Sequence, residues 1–142
     1  MSNDQMAHSE WKAFMADLEA AETEFVQGLP TAFKALRSRS DDVTLCGGFG
    51  GVERGWKNVT ARLDWVSSKY SDGTRTRQEI SEMVGAEFAY LVQNEVIRCR
   101  VAGQSEASIQ ELRATMVFRR ESEGWRIVHR HADLQAATQA PS

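Results

Sequence analysis

The 142-residue sequence contains little that could hold a fold together other than burial: it has only two cysteines and two prolines. Cys46 and Cys99 lie far apart with no CxxC spacing. That argues against a disulfide framework and a zinc site, and both read as small buried hydrophobes. No stretch approaches the roughly 18 apolar residues of a membrane span. The opening MSNDQMAHSE lacks a basic region followed by an apolar run, so no membrane partner is expected and the expected location is cytoplasmic. An excess of positive charge is missing too. The formal net charge is -3 and the pI about 5.6, whereas phosphate-backbone binding needs clustered Lys and Arg that displace counterions. Arg37 with Arg39, Arg75 with Arg77 and Arg119 with Arg120 are scattered in twos and read as solvated surface. Nucleic acid is therefore not an expected partner.

What the sequence does have is the balance of a globular domain, with 42% hydrophobic and 26% charged residues. A chain of this length buries roughly two-thirds of its unfolded surface and needs no second domain. The expected layout is a single domain over residues 9–133 between flexible ends at 1–8 and 134–142. Trp11, Phe14, Met15, Leu18, Ala21 and Phe25 follow the spacing of one helical face, with Ser9 placed to cap it. Gly28 and Pro30 punctuate the end of that helix, and Ala32, Phe33 and Leu36 mark a shorter second one. Val43 to Cys46 is a short β-rich run leading into Gly47, Gly48, Phe49, Gly50 and Gly51. Trp56, Val59, Leu63 and Val66 then return to helical period.

From Tyr70 onward the period becomes two. Four strands are expected, at about 76–84, 88–100, 111–120 and 125–133, joined by turns too short for a crossover helix. Helices followed by an antiparallel sheet make the fold class α+β, with the helices covering one face. Strict alternation then sorts the strand residues. Trp125, Ile127, His129 and His131 share the helix-covered side with Arg113, Thr115, Val117 and Arg119, and with Ala89, Leu91, Gln93, Glu95 and Ile97. An apolar wall broken by a few convergent polar groups has the composition of a ligand pocket. Phe88, Tyr90, Val92, Met116 and Phe118 fall on the far side, where a homodimer would cover them.

Three segments resemble the nuclear transport factor 2-like superfamily, in its SnoaL-like or ketosteroid-isomerase-like branch. They are the helical hairpin, the run Thr44-Leu45-Cys46-Gly47-Gly48-Phe49-Gly50-Gly51 with Gly55 beyond it, and the ending from Val117 to Glu121 and Gly124 to Asp133. The resemblance spans about residues 9–133, and its last segment is also similar to the association domain of calcium/calmodulin-dependent protein kinase. It implies a cone-shaped fold of three helices on a strongly curved antiparallel sheet with a pocket between them. Members include isomerases, polyketide cyclases, dehydratases, epoxide hydrolases and modules that only bind or assemble, so the fold does not choose a reaction. The general-base aspartate of similar ketosteroid isomerases falls near Cys46, and their strand-borne acid near Thr115. Neither position holds a carboxylate here.

If chemistry occurs, His129, His131 or Glu95 is left as the catalytic base. Arg113 and Thr115 are left as donors, and Gln93, Leu91, Trp65 and Phe49 as ligand-binding residues. Each has a plainer reading. The two histidines can simply hydrogen-bond within the sheet, and as metal ligands they lack a third partner. The glycine run lacks the Lys-Ser or Lys-Thr of a phosphate loop, and reads as backbone geometry beside a pocket mouth. The sequence thus points to binding of a small, largely apolar molecule without metal or organic cofactor. Two uses stay open: a cofactor-independent isomerase, cyclase or dehydratase, and a non-catalytic binding or dimerisation module.

Overall fold

The first helix, α1 (Asn3–Phe25), buries Ala7, Trp11, Phe14, Leu18, Ala21 and Phe25, the stripe its sequence spacing predicts. The computed structural model describes residues 2–141. Met1 and Ser142, which belong to the ends expected to be flexible, lie outside the described residues. The helix starts earlier than the expected cap at Ser9. Ser2 is the cap: its hydroxyl accepts from the Gln5 amide at 3.1 Å, and the Gln5 side chain accepts from the Ser2 amide at 2.8 Å. This S-x-x-Q capping box satisfies two amides that would otherwise lack partners.

The chain continues through α2 (Thr31–Ala35), β1 (Thr44–Cys46), β2 (Glu53–Arg54) and α3 (Trp56–Ser67). Four long strands follow: β3 (Tyr70–Val84), β4 (Phe88–Val101), β5 (Ala107–Glu121) and β6 (Gly124–Leu134). The six strands form one curved, open sheet in the order β2-β1-β6-β5-β4-β3. The α+β class holds, with two differences from the sequence reading. The sheet has six strands, and β1 pairs with β6 in parallel, Thr44 opposite His129 and Cys46 opposite His131. Residues 135–141 form no helix or strand.

The faces of β5 and β6 differ from strict alternation. In the β5–β6 hairpin Arg120 lies opposite Trp125 and Phe118 opposite Ile127, but Val117 lies opposite His129. Val128 is therefore a bulge, one residue without a partner, and past it every side chain of β6 changes face. Trp125 and Ile127 point inward before the bulge; Arg130 and Ala132 do so after it. On β5 the buried set is Leu112, Ala114, Met116 and Phe118. Met116 and Phe118 are thus core residues and not part of the outer face. The helix-covered assignment of Ala89, Leu91, Gln93, Glu95 and Ile97 on β4 agrees with the structure, in which all five are buried.

At one end the space between α1 and the sheet is filled by rings. Trp11 meets Phe118 edge-on at 4.8 Å and Trp125 at 5.3 Å, and the Trp125 indole donates to the Ala7 carbonyl at 3.0 Å. Near the other end, β3 crosses the end of α1 at Gly73. A Cβ there would lie 2.0 Å from the Val26 carbonyl oxygen, so only glycine allows the crossing. Gly73→Ala should therefore destabilise the fold by about 3 kcal/mol and lower Tm by on the order of 10 °C, as read by thermal unfolding. An unchanged Tm would show that α1 and β3 can separate freely at this point.

Candidate functional site

Beyond the ring-packed end, α1, α3 and the sheet enclose a cavity of about 70 Å³. A single water needs roughly 10–15 Å³, so there is room for a small organic molecule. Phe25, Phe33, Leu63 and Ile97 are among its apolar walls, and Gly47, Gly48 and Phe49 stand at one side. Phe49 packs edge-on against Trp65 at 5.6 Å and lies 5.8 Å from the Tyr70 ring. The Arg62 guanidinium donates to the Gly50 carbonyl at 3.2 Å and tethers this loop to α3.

Against that apolar lining stands a buried set of charges: Glu22 from α1, Arg75 from β3, Glu95 from β4 and Arg130 from β6. Arg130 donates from both terminal nitrogens to the two oxygens of Glu95, each at 2.8 Å, and Gln93 donates to the same carboxylate at 2.7 Å. Arg77 in turn donates to the Gln93 carbonyl oxygen at 3.1 Å, which fixes the amide. Arg75 forms ion pairs with Glu22 Oε2 and, at 3.6 Å, with Glu95. Glu22 Oε1 has no hydrogen-bond partner, although the residue is only 4% exposed.

The two carboxyls respond in opposite directions. At Glu95 burial pushes the pKa up, but Arg130, Arg75 and the bond from Gln93 outweigh it and hold the group down at about 2. At Glu22 burial dominates, the Arg75 charge offsets it only in part, and the group is raised to about 7. Burial likewise raises the Tyr70 phenol, whose hydroxyl donates to Gln110 at 2.8 Å. Burial thus shifts Glu22 toward its protonated form, while Arg130 and Arg75 hold Glu95 in its ionised form.

The residues chosen from sequence fall into two groups on opposite sides of the sheet. Glu95 lines the cavity, Gln93 supports it from behind, and Leu91 is buried in the core on the same side. Phe49 stands at the cavity and Trp65 behind it, 41% exposed, with Arg62 stacked over its ring at 4.3 Å. Arg113, Thr115, His129 and His131, expected in the helix-covered pocket, lie instead on the face away from the helices. Arg113, Thr115 and His131 border a shallow groove there. The His129 ring bonds the Thr44 hydroxyl at 2.7 Å, and His131 pairs with Asp133 at 2.9 Å. The cause is physical: a one-residue error in the β5–β6 hairpin register moves Arg113 and Thr115 across the sheet, and the Val128 bulge moves the histidines. Among the described residues no group of three or more His, Cys, Asp or Glu side chains is placed to hold a metal ion.

Glu22 and Arg130 were not singled out from sequence, and Arg75 and Arg37, read there as solvated surface, have buried side chains. A signal existed for Glu22, which sits four residues after Leu18 and three before Phe25, inside the buried stripe of α1. Arg130 carried none, because without the bulge it reads as an outward residue.

A family model for the SnoaL-like domain matches residues 13–136, and the chain belongs to that family. Among solved structures, a nuclear transport factor 2-like superfamily protein from Salmonella enterica serovar Typhimurium superposes with a TM-score of 0.76 at 19% identity, covering 93% of this chain and 95% of that one. A ketosteroid isomerase-like protein from Erwinia carotovora atroseptica gives 0.72 at 13% identity, covering 87% and 95%. A candidate dehydratase of the nuclear transport factor 2-like family from Streptomyces avermitilis gives 0.71 at 20% identity, covering 84% and 91%. Identities at this level speak for the shared fold alone. A search of curated proteins returns no match.

The buried pair sets the response to acid. Because the Glu95 pKa is depressed on folding, its contribution to stability is complete above about pH 4.5 and is lost as pH falls from there toward 2. Glu22 has the opposite sign: its raised pKa favours the fold below about 4.5, and that contribution fades as pH rises toward 7. Glu95→Ala, which leaves Arg130 buried without its partner, should cost about 3–5 kcal/mol in urea unfolding at neutral pH. The cost should shrink as the pH is taken below about 4. A cost that stayed constant over that range would mean Glu95 is not ionised in the folded protein.

Proposed function

We propose that this SnoaL-like domain binds a small, largely apolar molecule in the cavity between α1, α3 and the sheet, with the polar end of the molecule set against Glu22 and Arg75. The observation that carries this reading is Glu22 Oε1, a buried polar atom without a partner in an otherwise apolar lining. Leaving such an atom unsatisfied costs about 1–3 kcal/mol, which a ligand donor or acceptor recovers. The cavity also combines the two features of a small-molecule site, mostly apolar walls and few convergent polar groups.

A second reading, a cofactor-free isomerase, cyclase or dehydratase, is favoured by the raised Glu22 carboxyl, a proton donor and acceptor of the right pKa for work near neutrality. Glu95 is a weaker candidate for the base, since two arginines and an amide already occupy its oxygens. The similar structures described as ketosteroid isomerase-like and as a candidate dehydratase fit this reading. Exposed Ile80 and Phe88 on the outer face support the homodimer expected from sequence. A sedimentation mass of a single 15.9 kDa chain would remove that part of the proposal.

Ala132 lines the cavity and is 1% exposed, so Ala132→Leu places a larger side chain in the space where the ligand is expected. Wild-type protein isolated from its source should retain a small molecule in native mass spectrometry, and the folded Ala132→Leu protein should not. Equal retention by both would place the ligand elsewhere and end the reading.

A further inference from the structure

Among the described residues, the buried side-chain atoms without a hydrogen-bond partner are Trp11 Nε1, Arg37 Nε and Nη2, Ser108 Oγ, Arg75 Nη2 and both oxygens of Glu22. Trp11, Arg37 and Ser108 stand outside the cavity lining. Arg75 Nη2 and Glu22 Oε2 face each other as an ion pair. What the lining leaves open is therefore Glu22 Oε1. The contact with Arg75 favours the ionised carboxylate, which accepts hydrogen bonds and donates none. The donors around it already have acceptors. Arg130 donates from both terminal nitrogens to Glu95 at 2.8 Å, Arg75 Nη1 donates to Glu19 at 3.2 Å, and the Tyr70 hydroxyl donates to Gln110 at 2.8 Å. The charges of the lining also balance, with Arg75 and Arg130 against Glu22 and Glu95. Behind them Glu19 bonds Arg77 as well as Arg75, and Arg77 pairs with Glu79 at 3.7 Å.

We propose that the ligand of this cavity is a small neutral alcohol, its hydroxyl donating to Glu22 Oε1 and its hydrocarbon body lying against Phe25, Phe33, Leu63 and Ile97. This rests on the reading that the cavity is a ligand site and adds the class of molecule. A hydroxyl supplies the donor that the lining lacks, and a hydrogen bond to a carboxylate is roughly twice as strong as one between neutral groups. A ketone of the same shape brings only an acceptor and leaves Oε1 unmet. A lone water needs roughly two to four polar partners, and these walls are mostly apolar. The cavity of about 70 Å³ is near half of a ~150 Å³ void that admits benzene. That sets the hydrocarbon body at about three to five carbons.

The balance of charge decides against an ionic ligand. A carboxylate would bring a further negative charge beside Glu22 and Glu95, whose guanidinium partners are already in contact with them. An ammonium would donate to Oε1 but would stand beside Arg75 and Arg130 with nothing left to compensate it. An uncharged donor meets neither obstacle.

Sec-butanol and butanone have nearly the same size and shape, and only the first carries a donor. Titrated into the full chain at about pH 8 and followed by amide chemical shifts, sec-butanol should bind about tenfold more tightly than butanone, with shifts centred on Leu63 and Val66. Glu22→Gln keeps the size of the side chain, but with its amide oxygen held by Arg75 it turns an N–H toward the cavity. The preference should then fall to about twofold or less. Ala132→Leu should weaken the binding of both probes. Equal affinity of the two probes for the wild-type cavity overturns the alcohol assignment and leaves the ligand site standing. Tighter binding of sec-butylammonium than of sec-butanol overturns the neutral charge, and a preference that survives intact in Glu22→Gln overturns the role of Oε1. Binding of neither probe, or equal binding by wild type and Ala132→Leu, overturns both the alcohol and the site. The wild-type comparison needs no variant, and circular dichroism separates a lost site from a lost fold in the two substituted proteins.

Discussion

Between Ile127 and His129, β6 carries one residue more than β5 can pair, and the character of the interior follows from that surplus. Without the Val128 bulge, the inward row begun by Trp125 and Ile127 would continue through His129 and His131. Arg130 would then stand on the outer face. With the bulge, Arg130 turns in and meets Glu95 across the width of β5 through two bonds of 2.8 Å. A β-bulge also bends its strand and raises the local twist, which suits a sheet that must curve around α1. One backbone irregularity thus sets both the curvature and the chemistry of the hollow beneath it.

The buried charges are a poor source of stability in themselves. Taking a carboxylate and a guanidinium out of water costs several kcal/mol per ion, and an apolar pair of similar volume often serves a fold equally well or better. What the network provides is position. Glu95 is held by Arg130, Gln93 and Arg75, and Gln93 is held by Arg77, so none of these side chains can turn without breaking another contact. Glu22 is the loosely held member: one oxygen faces Arg75 and the other faces nothing. The interior thus sets a fully bonded carboxylate beside one that keeps an unpartnered oxygen.

How far the sequence could be read depended on how regular each element is. The stripe of α1 and the face of β4 were legible because both keep a strict period, from Trp11 to Phe25 and from Ala89 to Ile97. The helix start was written in Ser2 and Gln5, but the apolar stripe drew the boundary toward Ser9. The β5–β6 region was not legible. Glu121 lies opposite Gly124, a tighter turn than the polar run suggests, and the misplacement of one residue exchanges the two faces of β5. Nothing local marks Val128 as unpaired, since a β-branched apolar residue belongs equally in a regular strand. The candidate site was therefore half read: Glu95, Gln93 and Phe49 from the regular parts, and Arg130 missed behind the irregular one. Glu22 and Arg75 were missed for another reason, because a charge on an amphipathic element, alone like Glu22 or paired like Arg75 with Arg77, reads as surface until the neighbouring elements are known.

The contrast between the two ends of the interior explains why a cavity persists at all. Around Trp11 the volume is filled by Phe118 and Trp125 in edge-to-face contact and by Phe14, which is tilted against Trp11 and edge-on to Phe118. At the other end the corresponding positions carry Gly47, Gly48 and Ala132, which have almost no side chain. An apolar void of that kind forfeits dispersion contacts on every wall, and its cost grows with its volume. A larger residue at position 132 would remove that cost only by closing the approach to Glu22 and Arg75. The small residues and the buried charges are consequently one feature: the former leave open the space that the latter line.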